Sequence, residues 1–298
     1  MNHACIEFTE YKLLLTIIQE DSTIILREER RFRLPNQNLR LLSSQEIDMI
    51  LLFCKELLEI ARLHQVNGWN VQGIAPHRTQ RIVNINHLFH QITDELNISF
   101  QIISPEEQVI YTWFGQTAAL ELQATSIATI NLHIDGFECI FGEKNQILYS
   151  TEIDCNLFKL NQACFGRDFD HYSQKGIIEM KQELDTSSLL LKWPKRPRYL
   201  VFQGELIDYL SALDLSKFAP NAPTLLQFDL KTLRKWQDFI LNSDREERNA
   251  ISEKIPYPNI FLPILLVVEA LCSRSFHDSV IISNGDLSYG LLLAQLNE

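Results

Sequence analysis

Residues 103–115 read ISPEEQVIYTWFG. Ser104 carries a short hydroxyl suited to accepting an amide of a helix's first turn, and Pro105 suits the first helical position. Glu107 stands three residues after the cap. Together they form a capping box, so a helix is expected over 105–114.

Working back toward the N-terminus, 4–8, 13–19 and 23–34 read as three short strands, with turns at 9–11 and 20–22. Ser43 and Glu46 make a second capping box. Ile47, Ile50, Leu51, Leu57, Leu58 and Ala61 then recur at helical spacing to about His64, and Gly68 ends that helix. A strand at 71–75, a helix at 84–96 and a strand at 100–103 lead into the capped helix.

Beyond it the order starts again. Strands are expected at 128–134, 137–142 and 146–153, the last two joined across 143–145. Helices follow within 156–165 and 169–184, then a strand at 198–202 and a helix at 205–213. Helices at 230–241, 244–253 and 260–272, a strand at 279–282 and a helix at 287–296 close the chain. Strand-strand-strand-helix-strand-helix thus occurs twice, with helical insertions in the second copy. The expected division is 1–117 and 118–298, meeting near 117–125.

Bulk properties agree with two soluble domains. The chain has 298 residues, 46% of them hydrophobic and 22% charged. Glu7 and Glu10 interrupt the first apolar stretch, so no signal peptide is expected. The longest apolar run, 260–268, is far below the ~20 residues that span a bilayer. Six cysteines lack CxxC spacing and read as reduced thiols of a cytoplasmic protein.

A net charge of −11 disfavours nucleic acid as a partner. Arg27, Arg30, Arg31 and Arg33 alternate with Glu28 and Glu29 and read as a solvated strand face. Lys192, Lys195, Arg196 and Arg198 flank Pro194 and Pro197 and read as an exposed loop.

The repeated order and the Ser-Pro-Glu-Glu segment resemble the exopolyphosphatase/guanosine-pentaphosphate phosphatase (Ppx/GppA) family. The implied fold is a pair of ribonuclease-H-like α/β domains of the actin-like ATPase and sugar-kinase superfamily, with a cleft between them. In that family the motif runs Ser-Gly-x-Glu-Glu-Ala or Ser-Pro-Glu-Glu-Glu-Gly, and its last glutamate activates the attacking water. Here Gln108 stands at that position, with Glu107 one place before it. The family's Ala-Thr-x-Ala-x-Arg-x-Ala-x-Asn resembles 75–84, APHRTQRIVN. Asn84 matches, the arginine that binds phosphate falls on Gln80, and Arg81 is one place off. Arg248, Ile255, Pro256 and the tail 281–292, IISNGDLSYGLL, also resemble family features.

The phosphate loops are where the resemblance thins. The family's first hairpin, Ile-Asp-x-Gly-Ser-x-Ser, aligns with 6–12, IEFTEYK. Glu7 keeps a carboxylate for a metal, Thr9 takes the glycine position, and Glu10 puts a negative charge where phosphate would approach. The second hairpin, Asp-Ile-Gly-Gly-Gly-Ser-Thr-Glu, aligns with 131–138, NLHIDGFE; only Glu138 and the trailing Gly142 match, and Asp135 and Gly136 would have to replace the phosphate loop. Ile134 is β-branched and resists the positive φ that a glycine loop uses. The third site, Gly-Gly-Thr, aligns with 203–205, where Gly204 remains.

The resemblance therefore implies a degraded hydrolase kept for binding, dimerisation or regulation. The expected partner is a second copy or an active relative, with a phosphate-containing small molecule as possible ligand and no membrane contact. An active phosphoanhydride hydrolase is the alternative, with Glu107 aligning water and Glu7 on Mg²⁺; otherwise no cofactor is expected. A third reading, an actin-like nucleotide binder, needs the same glycine loops.

Residue types elsewhere give weaker candidates. His87 and His90 lie at i, i+3 on a predicted helix and could share a metal, but lack a third ligand nearby in sequence. His133 beside Asp135 reads as a loop contact. Trp113 and Phe114 read as packing at a domain junction rather than as a stacking platform. No GxSxG, P-loop, HExxH or dinucleotide fingerprint occurs.

Overall fold

The computed structural model describes residues 1–9, 11–32, 41–67, 70–118, 120, 126–143, 146–166, 170–188, 191–212, 225–252 and 258–296. The expectations for Glu10, Arg33, Gly68, Ile255 and Pro256, and for most of 117–125, lie outside them. Two compact units are present.

The first unit opens with an antiparallel meander of β1 (Asn2–Phe8), β2 (Lys12–Gln19) and β3 (Ile24–Arg31). It continues with α1 (Ser44–Leu63), β4 (Val71–Ala75), a 3-10 turn (His77–Arg81), α2 (Ile85–Leu96), β5 (Phe100–Ile102) and α3 (Pro105–Thr117). The sheet order is β3-β2-β1-β4-β5, with β1-β4 and β4-β5 parallel. Both capping boxes form, at Ser43/Glu46 and Ser104/Glu107.

The alternation along β1 shows why its apolar run is continuous. Ala4, Ile6 and Phe8 pack in one core with Leu57, Leu88 and Ile92 of α1 and α2. Cys5 faces the opposite core. A strand covered on both faces needs no polar side.

The second unit repeats the plan with β6 (Ser126–His133), β7 (Gly136–Glu143), β8 (Gln146–Asp154), α4 (Leu157–Phe165), α5 (Gln174–Ser188), β9 (Tyr199–Gly204) and α6 (Glu205–Ala212). Then come β10 (Leu225–Asp229), α7 (Leu230–Asn242), α8 (Arg245–Ser252), α9 (Phe261–Arg274) and β11 (Ser279–Ser283). Its order is β10-β11-β9-β6-β7-β8, the first unit's order plus one edge strand. Two sheets with this shared order are ribonuclease-H-like. The edge strand β10, antiparallel to β11, was not expected from sequence. Its five residues are too few for a readable alternation.

The last helix, α10 (Leu287–Leu296), departs from the expected division at 118. It clusters with the first unit. Leu287, Tyr289, Leu291 and Leu292 share a core with Cys5, Ile18, Ile74 and Ile103. It crosses α3 at glycine on both sides. A Cβ on Gly290 would fall on the Tyr111 carbonyl oxygen, and one on Gly115 on the Asp286 carbonyl oxygen.

All six cysteines are free. Burial pushes every thiol up, Cys54 and Cys272 to about 12. They stay protonated at neutral pH and are poor nucleophiles.

Candidate functional site

In the first unit Glu7, Asp286 and Ser288 gather where β1 ends and α10 begins. Glu7, near the end of β1, is buried, and its Oε2 accepts the Ser288 backbone N–H at 3.1 Å. Asp286, just before α10, accepts the Tyr289 N–H at 2.8 Å and the Ser288 hydroxyl at 2.7 Å. Two carboxylates thus sit at the positive end of α10. Arg27 forms an ion pair with Asp286, and the Thr16 and Ser288 hydroxyls share a hydrogen bond of 2.8 Å.

Arg27 is therefore no part of a solvated face; β3 turns it inward. The rest of that run does pair at the surface, Arg30 with Glu28 and Glu56, and Arg31 with Glu29. Burial pushes the Glu7 carboxyl up. The Ser288 N–H and the nearby charges of Lys12, Arg27 and Arg78 offset part of that rise.

These neighbours do not suit Mg²⁺ on Glu7. Magnesium wants several hard oxygen ligands and keeps water. Glu7 instead faces a backbone donor and three cations, and the nearby Asp286 is committed to Arg27. Among the described residues no group of three His, Cys, Asp or Glu side chains converges for a metal. His87 and His90 lie exposed on α2.

The first hairpin closes on itself. Thr9 Oγ1 accepts the Lys12 N–H at 3.2 Å and lies 3.1 Å from the Lys12 carbonyl oxygen, which also takes the Thr9 N–H at 2.9 Å. The hydroxyl expected near a phosphate is thus engaged within its own turn.

The 3-10 turn carries two arginines and a glutamine. Gln80 and Arg81 are both exposed, whereas Arg78 is the arginine whose charge reaches Glu7. A 3-10 turn has three residues per turn, so Arg78 and Arg81 stand one turn apart on it. Asn84 brackets Leu42, accepting its N–H and donating to its carbonyl, both at 2.9 Å. That accounts for an asparagine here without any ligand.

At the start of α3, Glu107 and Gln108 have separate tasks. Glu107 Oε2 accepts the Ser104 N–H at 2.8 Å, and the Ser104 hydroxyl accepts the Glu107 N–H at 3.2 Å. Gln108 is only 4% exposed. Its Oε1 accepts the His77 N–H at 3.3 Å and lies 3.0 Å from His77 Nδ1. Trp113 is buried on the same helix, while Phe114 is exposed.

In the second unit the β6-β7 turn is Ile134-Asp135, with His133 paired to Gly136. Neither turn residue has positive φ; Gly136 takes it, at 152°. Asp135 Oδ1 accepts the Asn156 side-chain N–H at 2.6 Å, and its carbonyl accepts the Cys155 N–H at 3.0 Å. A Cβ on Gly136 would fall on the Ile153 carbonyl oxygen. Gly204 has φ of 93°, and a Cβ there would fall on the Leu132 carbonyl oxygen. Both glycines are explained by backbone conformation and close approach. Arg248 is also structural, donating to the Ser243 and Asp170 carbonyls at 2.7 and 2.8 Å and lying over Tyr172.

No family model and no curated protein matches the chain. Solved structures do. The Ppx/GppA family member from Aquifex aeolicus superposes with a TM-score of 0.80 at 19% identity, covering 100% of this chain and 98% of that one. An exopolyphosphatase from Cytophaga hutchinsonii gives 0.83 at 18% identity, covering 100% and 98%. The chain has the Ppx/GppA phosphatase fold. An exopolyphosphatase-like protein gives 0.76 at 15% identity, covering 100% and 99%. At such identities the likeness speaks for the Ppx/GppA fold, and chemistry has to be argued from the residues described above.

Proposed function

We propose that this chain is a non-hydrolytic member of the Ppx/GppA phosphatase family, kept for binding or regulation. The observation that carries the reading is Gln108. An amide stands where the resemblance calls for the water-activating carboxylate, and it is held in place by the His77 backbone and ring. An amide cannot take up a proton from water. The self-closed Thr9 turn and the Asp135 carboxylate tied to Asn156 support the same reading, because each engages groups that a phosphate would otherwise meet.

The chain then works as a partner subunit, paired with a second copy or with an active relative, in the cytoplasm. No helix among the described residues is long and apolar enough to cross a membrane.

The test is phosphate release from polyphosphate, guanosine pentaphosphate and ATP with Mg²⁺. Loss of a general base costs ~10²–10⁴ in rate, and each lost oxyanion donor about 10²–10³. The expected result is no release above a buffer blank. Turnover near about 1 s⁻¹ that Glu107→Gln abolishes would overturn the proposal and restore the hydrolase reading.

A further inference from the structure

A cavity of about 410 Å³ lies in the second unit, lined in part by Arg196, Arg198, Tyr199, Gln227, Phe276 and His277. Tyr199 and Ser279 are the first residues of the parallel strands β9 and β11, so the cavity sits at their amino-terminal ends. Gly204 closes the opposite end of β9. Five residue steps at ~3.3 Å put the two about 17 Å apart. The cavity is thus separate from the glycine turns of this unit.

Its chemistry is unusual for a chain of net charge −11. Arg196 donates to the Ser275 and Phe276 carbonyls, and its guanidinium lies 5.5 Å from the Phe276 ring centre. Phe276 has φ of 54°, a conformation that bulky residues rarely adopt, yet the residue is 76% exposed. An aromatic fixed by an arginine and left in water presents a flat, rigid surface. Beside it, Arg198 is exposed, and its guanidinium lies 5.7 Å from the Tyr199 ring centre. His277 Nε2 lies 3.3 Å from the Arg198 carbonyl, and its Nδ1 is buried without a partner among the described residues. Gln227 and Ser279, hydrogen-bonded at 3.2 Å, add a neutral polar wall. Asp278 is the acidic side chain in the lining, set against two arginines.

We propose that this cavity binds an oxyanion attached to a planar ring, the chemistry of a nucleoside monophosphate. Arg198 takes the oxyanion through its fork of N–H donors. The Phe276 face, backed by Arg196, takes the ring. The volume is within the range of small-molecule sites. The site stands independently of the hydrolysis question, since neither Arg198 nor Phe276 belongs to the phosphatase motifs.

The experiment is calorimetry of the full chain with AMP, adenosine and inorganic phosphate as separate probes. AMP should bind more tightly than either part alone. Arg198→Gln should weaken AMP about tenfold or more, with Arg198→Lys intermediate because it keeps the charge and loses the fork. Phe276→Ala should weaken AMP and leave phosphate unchanged. Both side chains are exposed, so the variants are expected to fold, with circular dichroism as the check. Three results would each overturn the proposal: no AMP binding at millimolar concentration, adenosine binding as well as AMP, or AMP binding unchanged in Arg198→Gln.

Discussion

Glu7 and Ser288 stand 281 residues apart in sequence, and the carboxylate of one accepts the backbone N–H of the other at 3.1 Å. The contact ties the first strand to the last helix and leaves Glu7 buried. Such a carboxylate answers the positive end of α10, but losing its water costs more than the helix returns, so its pKa rises.

The rise makes stability depend on pH with a defined sign. A glutamate with a folded pKa above its unfolded value holds its proton more tightly when folded. Its contribution is complete below the ordinary carboxylate range and is lost as pH rises through the folded value. Glu7→Gln keeps an acceptor for the Ser288 N–H and removes the titration. Wild type should therefore lose stability relative to Glu7→Gln as pH rises above the ordinary carboxylate range. Urea midpoints of both proteins across that rise measure it, and a constant difference would contradict the buried carboxylate.

Gly290→Ala separates helix propensity from packing. Alanine in an isolated helix interior is worth about 1 kcal/mol over glycine. Here the new methyl group meets the Tyr111 carbonyl across the α3-α10 crossing. Overpacking of this kind costs about 1–3 kcal/mol or more, so net destabilisation is expected. Thermal unfolding decides, and a raised midpoint would mean the two helices do not approach this closely.

The cap at α3 can be told from a catalytic group. Ser104→Ala should lower stability by roughly 0.5–2 kcal/mol through the lost cap. Glu107→Gln should lower it less, because glutamine can also accept the Ser104 N–H. Denaturant midpoints that rise in Glu107→Gln and stay fixed in Ser104→Ala would reverse the assignment.

On the proposed reading, Gln108→Glu restores the carboxylate at the family position. The altered loops remain, so phosphate release is expected to stay at the blank. Activity gained from this one change would show that the loops still hold phosphate and that the amide alone silences the chain.

Gly204→Ala addresses whether that glycine serves a ligand or the fold. With φ of 93° and the Leu132 carbonyl against the new Cβ, the variant should lose stability without any ligand present. Unchanged unfolding would return Gly204 to the list of ligand contacts.

The sequence by itself determined the features that local chemistry dictates. Ser43/Glu46 and Ser104/Glu107 announce their helices because a cap and its box lie within one turn. The alternating and 3.6-residue patterns located ten of the strands and the long helices, since burial on one face or stripe is written at short range. It also carried the family resemblance in which Gln108 and the loop residues depart from the family pattern. Tertiary structure decided what depends on distant partners. The return of α10 to the first unit, the inward turn of Arg27 to Asp286, the charge of Arg78 near Glu7, and the pairing of β10 all rest on such contacts. No local pattern encodes them. Their physical basis is complementarity of charge, volume and backbone hydrogen bonding between segments that meet only when the chain is folded.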